Sequence, residues 1–357
     1  MATFLLFSDL HVHPHKKSQE RLQHCIAALE WVFETAKSKK VDAVLFGGDL
    51  LHDRQKIDSL TYNLVFNVFE KYQNESFQTY LLLGNHDLWY ASSWSVSSVR
   101  PFKAIKNVTV IDKTCEIDIH GTNWHFIPYT HEPLTELENL KDKVENSYLL
   151  GHLAIDGARL NSAGSVADVI IEHDGDMTVV GCDLFKRYKR AFFGHYHSAQ
   201  KLTETVEYIG SPLQLSFGEA HEDKHILLLD ASNDSLSYIE NTFSPKHFYI
   251  QENEIENYNA NEIKDGFVCI ISESNDANSN KKNMAKVVEE LKASTVQVKK
   301  QIKKQDEHAL ADAKDLIANQ DKLLERYVEQ VQNLALDKKI LIEIGNKIVK
   351  AAEDAKD

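Results

Sequence analysis

The chain has 357 residues, 43% hydrophobic and 26% charged, the balance of an ordinary soluble globular protein of about two domains with a sizeable core. Its formal charge of −14 is uneven, with 24 Lys and Arg against 40 Asp and Glu in residues 1–280 and 16 against 14 in residues 281–357. An acidic N-terminal part counts against solitary, tight DNA binding, because Lys and Arg on phosphates supply most non-specific affinity.

The first apolar run, Thr3–Phe7, reads as a buried strand and leads directly into Asp9 and His11. It is short and has no basic segment before it, so neither a signal peptide nor a membrane span is expected. Cys25, Cys115, Cys182 and Cys269 form no CxxC pair, which argues for buried free thiols over a zinc-thiolate site or a disulfide framework. The protein therefore reads as intracellular, cytoplasmic or nucleoid-associated. After a polar loop at 14–17, the spacing of Leu22, Cys25, Ile26, Leu29, Phe33 and Ala36 predicts a helix over 18–39, with Ser18 at its N-cap and lysines at its far end.

A strand over Ala43–Phe46 precedes Gly48-Asp49, and a second amphipathic helix is predicted over 57–73. Residues 79–83 form the strand before Gly84-Asn85-His86-Asp87. Residues 89–98, aromatic and serine-rich without a clear period, read as a loop beside the site. Short β-rich runs at 108–112, 115–119 and 124–128 read as an antiparallel part of a sheet. Strands at 148–150 and 191–193 then run into Gly151-His152 and Gly194-His195-Tyr196-His197. Residues 206–209, 226–230 and 237–240 keep the β pattern, interrupted by the turn Gly210-Ser211-Pro212.

Composition changes near residue 245. Residues 267–272 read as a strand, 275–280 as a polar linker, and the remainder as helix almost to its end. That helical stretch includes 281–304, with eight lysines against Glu289 and Glu290. Apolar residues from Leu316 to Val349 recur at helical intervals, as they would in a hairpin packed on its own domain or in a surface receiving another chain's helices. The predicted architecture is an α/β fold, two packed sheets flanked by helices over 1–243, with a small capping or linker region over 244–280 and a helical C-terminal region over 281–357.

Five polar clusters each follow an apolar run directly, a poor arrangement for a hydrophobic core. Beyond the carboxyl ends of sheet strands they can meet in one crevice. Their acids, amide and imidazoles suit two divalent ions with open positions for water and phosphate. Asp9 and His11 hold one ion, on one face because strand residues two apart point the same way. Asp49 is the natural bridge, Asn85, His152 and His195 serve the second ion, and His197 returns to the first. His86, beside a ligand, is placed to protonate a leaving oxygen. Asp87 either orients that imidazole or caps its loop. His52 either reaches a phosphate or is a solvent-exposed loop residue, and His13 and His15 lie in the loop near the first ligands.

Asp9-x-His11, Gly48-Asp49, Gly84-Asn85-His86-Asp87, Gly151-His152 and Gly194-His195-x-His197, in this order, resemble the calcineurin-like metallophosphoesterase superfamily over about residues 3–240. Within it the chain is similar to the SbcD, or meiotic recombination eleven, family of double-strand-break repair nucleases. This narrower resemblance rests on Gly47-Gly48-Asp49-Leu50-Leu51-His52-Asp53, on Tyr208-Ile209-Gly210-Ser211-Pro212 with Leu215-Ser216-Phe217-Gly218-Glu219, and on the tail around Leu324-Glu325-Arg326-Tyr327-Val328-Glu329. It departs from the family where Val12-His13 follows His11.

The resemblance implies a manganese-dependent nuclease, a 3′→5′ exonuclease on duplex ends and an endonuclease on single strands. It implies a homodimer, partnered through its C-terminal helices by an SMC-like ATPase with a long coiled coil. It implies Asp9, His11, Asp49, Asn85, His152, His195 and His197 as metal ligands and His86 as catalytic acid. Two rival readings remain: a phosphatase or small-molecule or cyclic-nucleotide phosphodiesterase of the same fold, and an assembly subunit whose nuclease is latent until its ATPase docks.

Overall fold

The computed structural model describes residues 2–14, 18–140, 144, 146–159, 179–273, 276–300 and 342. In chain order its strands and helices are β1 (Thr3–Phe7), α1 (Gln19–Lys39), β2 (Ala43–Phe46), α2 (Ser59–Lys71), β3 (Gln78–Leu82), β4 (Leu88–Tyr90), β5 (Ser93–Ser97), β6 (Val108–Ile111), β7 (Cys115–Ile119), β8 (Thr122–Ile127), α3 (Pro133–Asn139) and β9 (Tyr148–His152). They continue with β10 (Arg190–Gly194), β11 (Gln200–Lys201), β12 (Val206–Tyr208), β13 (His225–Asp230), β14 (Ser235–Glu240), β15 (His247–Gln251), α4 (Ala260–Ile263), β16 (Phe267–Ser272), α5 (Ala277–Glu289) and β17 (Thr295–Lys300).

Two six-stranded sheets carry the architecture. The first has the order β14-β13-β1-β2-β3-β6, with β1, β2, β3 and β6 parallel and β13 and β14 antiparallel to their neighbours. The second runs β11-β12-β10-β9-β8-β7, parallel from β12 to β8 with an antiparallel strand at each edge. The period of two along β1 explains the packing. Phe4 and Leu6 join Trp124, Phe126, Leu150 and Phe192 in a core between the sheets, whereas Leu5 and Phe7 face outward into the core that α1 and α2 cover. The same alternation sends Leu150 inward and Leu149 outward to Leu137 of α3. Strands buried on both faces need continuous apolar sequence, and that is why each polar cluster stands out at a strand end.

The helix ends follow local chemistry. Ser18 caps α1 by accepting from the Arg21 amide, and Asp58 caps α2 by accepting from Thr61. Four expectations are corrected. Residues 89–98 form the hairpin β4–β5, pinned by Trp94 Nε1 donating to the Tyr129 carbonyl at 2.7 Å. β6 is parallel to β3 in the first sheet, so only β7 and β8 give the antiparallel pairing expected of 107–130. The helix expected over 281–304 ends at Glu289, and residues 295–300 are strand β17, where Val296 and Val298 alternate with polar residues and pack on the small core. Residues 277–280, read as linker, are the first turn of α5.

A small three-stranded sheet, β15-β16-β17, surrounds its own core of Ile250, Ile255, Ile263, Val268, Ile270 and Val287. The boundary expected at 280 therefore passes between strands of one sheet. Residues 1–270 with 278–298 make one compact unit. Apart from residue 342, the apolar repeat at 316–349 lies outside the described residues, as do the Leu324-to-Glu329 motif and residues 301–304 of the expected basic helix.

Candidate metal centre

The loops after β1 and β2 run side by side. Asp9 N donates to Gly48 O at 2.9 Å, His11 N to Asp49 O at 3.0 Å and Val12 N to Leu50 O at 2.9 Å. The strand β1 has ended before Asp9, so Asp9 and His11 do not share a face by strand alternation. Instead both backbones turn left-handed, at φ 51° and 46°, and the loop itself aims the two side chains at one point. Asp49 (φ 62°) and His195 (φ 99°) adopt the same region.

Asp9 accepts the His195 amide through both oxygens, at 3.0 and 3.1 Å. Asp49 Oδ1 accepts the His86 amide at 2.7 Å, and its Oδ2 lies 3.4 Å from His11 Nε2 and 3.5 Å from His152 Nε2. His152 donates Nδ1–H to the Gly47 carbonyl at 2.7 Å, which leaves Nε2 facing the centre. His197 Nε2 lies 3.0 Å from His11 Nε2, while its Nδ1 lies 3.3 Å from Glu219 Oε1. Asp9, His11 and His197 form one group with donor atoms close enough to share an ion, and Asp9, Asp49 and His152 form another. All seven residues predicted as ligands meet here.

The two buried carboxylates draw on neighbouring imidazoles for positive charge. Burial raises the Asp9 carboxyl, with His152 opposing it and Asp49 reinforcing it. Burial alone would depress His152, but the Asp49 carboxylate beside it raises it to about 9. Burial, followed by repulsion from His152, lowers His195 to about 3. Asn85 gives a sharper indication. With its oxygen turned inward, and the imidazoles unprotonated toward it as ligation requires, it faces only acceptors: His152 Nε2 at 3.0 Å, His195 Nδ1 at 3.1 Å and Asp49 Oδ2 at 3.3 Å. Turned over, its nitrogen would donate to those atoms and its oxygen would accept from Arg54 Nη2 at 2.9 Å. A cation among these acceptors makes the inward oxygen favourable, so the donor set fits a divalent metal.

Around the ligands, His86 Nδ1 donates to the His52 carbonyl at 2.5 Å, and its ring lies 4.7 Å from His11 and 5.4 Å from His52, nearly parallel to the latter. Asp87 does not orient that imidazole. Its carboxylate accepts the amides of Gly84, Asp49 and Leu50 at 2.9, 2.8 and 3.0 Å, and so caps two ligand loops at once. Against three amides that favour its charge, burial raises Asp87 to about 7. The His13 ring lies tilted 4.8 Å from His52 and reaches Asp53 at 3.4 Å, whereas His15 lies outside the described residues.

Sequence reasoning passes over three neighbours of the centre. Arg54 beside Asn85 follows directly on His52-Asp53. Tyr129 lies 6.0 Å from the His195 ring, at the end of a run marked only by its β-rich pattern. Glu219, behind His197, closes a segment marked only by its family likeness. No single-residue signal marks the last, because a Glu distant in sequence becomes a partner only through the fold.

The residues 2–199 match the family model described as calcineurin-like phosphoesterase. The chain is 27% identical over 198 residues to a putative phosphoesterase of Invertebrate iridescent virus 6, covering 53% of this chain and 64% of that protein. It is 23% identical over 219 residues to exonuclease subunit 1 of Enterobacteria phage T4, covering 60% and 61%. It is 26% identical over 278 residues to the SbcD component of the SbcCD nuclease of Escherichia coli, covering 67% of each. The matches to the two viral relatives thus span a little under two thirds of their length.

Proposed function

The chain belongs to the calcineurin-like phosphoesterase family, and on that premise we propose that it is a metal-dependent phosphodiesterase acting as a DNA nuclease. The observation that carries the reading is the meeting of two buried carboxylates, one amide and four imidazoles from five strand-end loops. In this reading Asp9, His11 and His197 would hold one ion and Asn85, His152 and His195 the other, with Asp49 available to either. Bound ions, manganese by the resemblance, supply an activated water and offset charge developing on the phosphate.

The chain's own residues orient and transfer. His86 has its Nδ1–H committed to the His52 carbonyl, so Nε2 is the atom that carries a proton to the leaving oxygen. His52 supports that ring by stacking and lines the approach to it. Asp87 keeps the Asp49 and Asn85 loops in register, and Arg54 adds positive charge beside Asn85 where an anionic substrate arrives.

The names of two relatives, a component of a nuclease and a subunit of an exonuclease, support a place in a complex. The same proposal takes DNA ends as substrate, 3′→5′ exonuclease and single-strand endonuclease action, double-strand-break repair or recombination as setting, a homodimer, and an SMC-like ATPase docked on residues 281–357. The acidic balance of residues 1–280 favours such a partner, which would supply much of the grip on DNA.

The test uses the wild type and Asn85→Ala with manganese, on an end-labelled linear duplex and on bis-para-nitrophenyl phosphate. The wild type should cleave both, and the variant should lose about 100-fold or more on each. Turnover of the small diester alone, with or without an added ATPase, would point to the small-molecule phosphodiesterase instead. No cleavage of either would refute the catalytic reading.

A further inference from the structure

Behind His197 lies a buried polar network that neither the ligand set nor the fold requires. Glu219 Oε1 faces His197 Nδ1 at 3.3 Å, and its Oε2 accepts from Ser211 Oγ at 3.1 Å, from Leu215 N at 3.2 Å and from Lys224 Nζ at 2.7 Å. Lys224 also donates to the His197 carbonyl at 2.9 Å and to Glu222 Oε2 at 2.8 Å. Both Glu219 and Lys224 are 4% exposed at the side chain. A buried ion pair gives little net stability after its desolvation cost, so its presence calls for another reason.

Geometry supplies one. Both Glu219 oxygens are engaged, and the turn that carries it, Phe217–Glu219, is seated at its other end by Phe217 against His247 and Tyr249 of β15, at 4.8 and 5.4 Å. The carboxylate is thus held still. A carboxylate can only accept from the facing imidazole, so the proton of neutral His197 sits on Nδ1 and the lone pair on Nε2, the atom turned to His11. The imidazoles differ in this respect. His152 is backed by a neutral carbonyl, and His11 Nδ1 has no hydrogen-bond partner among the described residues.

We propose that Glu219, braced by Lys224, is a positioning residue that fixes the tautomer of His197 and thereby sets metal affinity at the Asp9, His11 and His197 position. The inference rests on the metal reading above for its second half alone. A charged acceptor behind an imidazole raises its donor strength, and loss of such a partner typically costs about 10- to 100-fold in metal affinity. The other position, backed through His152 by Gly47, is left alone.

The test uses the full chain as wild type, Glu219→Gln, and the double variant Glu219→Gln/Lys224→Met, which removes both buried charges and leaves neither unpaired. Imidazole 15N spectra of the metal-free proteins, with His197 assigned through His197→Gln, read the tautomer. Calorimetric titration with manganese reads affinity. The wild type should show the Nδ1–H form and two binding events. The folded double variant should lose that fixed tautomer and weaken one event about 10- to 100-fold, with the other unchanged. A tautomer and two affinities unaltered in the folded double variant would overturn the proposal. A wild type that binds no manganese but shows the fixed tautomer would refute the metal reading and keep the positioning of His197.

Discussion

Asp9, His11, Asp49 and His195 hold φ at 51°, 46°, 62° and 99°, a region that costs an L-residue roughly 1–2 kcal/mol. Such strain persists only where the surroundings over-determine it. Here the determinants are visible: paired amides between the first two loops, the Asp87 carboxylate across the second and third, and Asp9 on the His195 amide. Gly84 is part of the same constraint, since a Cβ at that position would collide with Asp49 Oδ1 and with the Asp49 amide. Gly84→Ala should therefore displace Asp49 and cost about 1–3 kcal/mol by overpacking. Hydrolysis of bis-para-nitrophenyl phosphate should fall with it, and urea unfolding measures the first effect separately from the second. Wild-type turnover in a variant of wild-type stability would mean that the Asp49 loop yields without consequence.

At the scale of elements, legibility tracks how strongly burial dictates sequence. β1 and β2 run as continuous apolar residues between two packed faces, and α1 carries both its cap and its stripe, so these elements are readable to within a residue or two. The seven donors are readable for the same reason, as polar residues at the ends of apolar strands. Where a segment is half exposed, the pattern loses force. Trp89 and Tyr90 of the hairpin are both exposed, and its serines give no period strong enough to separate strand from loop. In β17 only Val296 and Val298 mark the inner face, and the lysines that suggest helix continue past them. Asp87 is legible in part, as a cap of its own loop, but its hold on the Asp49 and Leu50 amides and the role of Glu219 stay hidden because they act far away in sequence. The hairpin yields its own prediction. Trp94→Phe keeps the ring but removes the bond to the Tyr129 carbonyl, so it should cost about 0.5–1.5 kcal/mol. A differential scan should find the midpoint about 2–4 °C lower per kcal/mol. An unshifted midpoint would mean that the hairpin is held by other contacts.

For the molecule as a whole, aromatic and cationic groups join the small sheet to α1. His247 of β15 stacks on Phe267 at 4.8 Å, the Arg21 guanidinium of α1 lies 5.0 Å above the same ring, and the His247 amide donates to Gln214 Oε1 at 2.5 Å. Burial, then repulsion from Arg21 and Lys224 with Glu219 opposing, lowers His247 to about 3. The sign of the pH effect follows. Between about 3 and the ordinary value near 6.5, the unfolded chain binds a proton that the folded chain excludes. The contribution of His247 to stability is thus complete above that window and lost as pH falls through it, at up to about 1.4 kcal/mol per pH unit. His225, lowered to about 4 by burial and Lys224, acts in the same direction. Because His247 Nδ1 has no hydrogen-bond partner among the described residues, His247→Phe should keep the stack while removing one titrating group. Urea unfolding of the metal-free proteins between pH 7 and pH 5 should show a shallower loss of stability in the variant. Equal slopes would mean that His247 takes up its proton in the folded state, and that the contact between the small sheet and α1 opens to admit it.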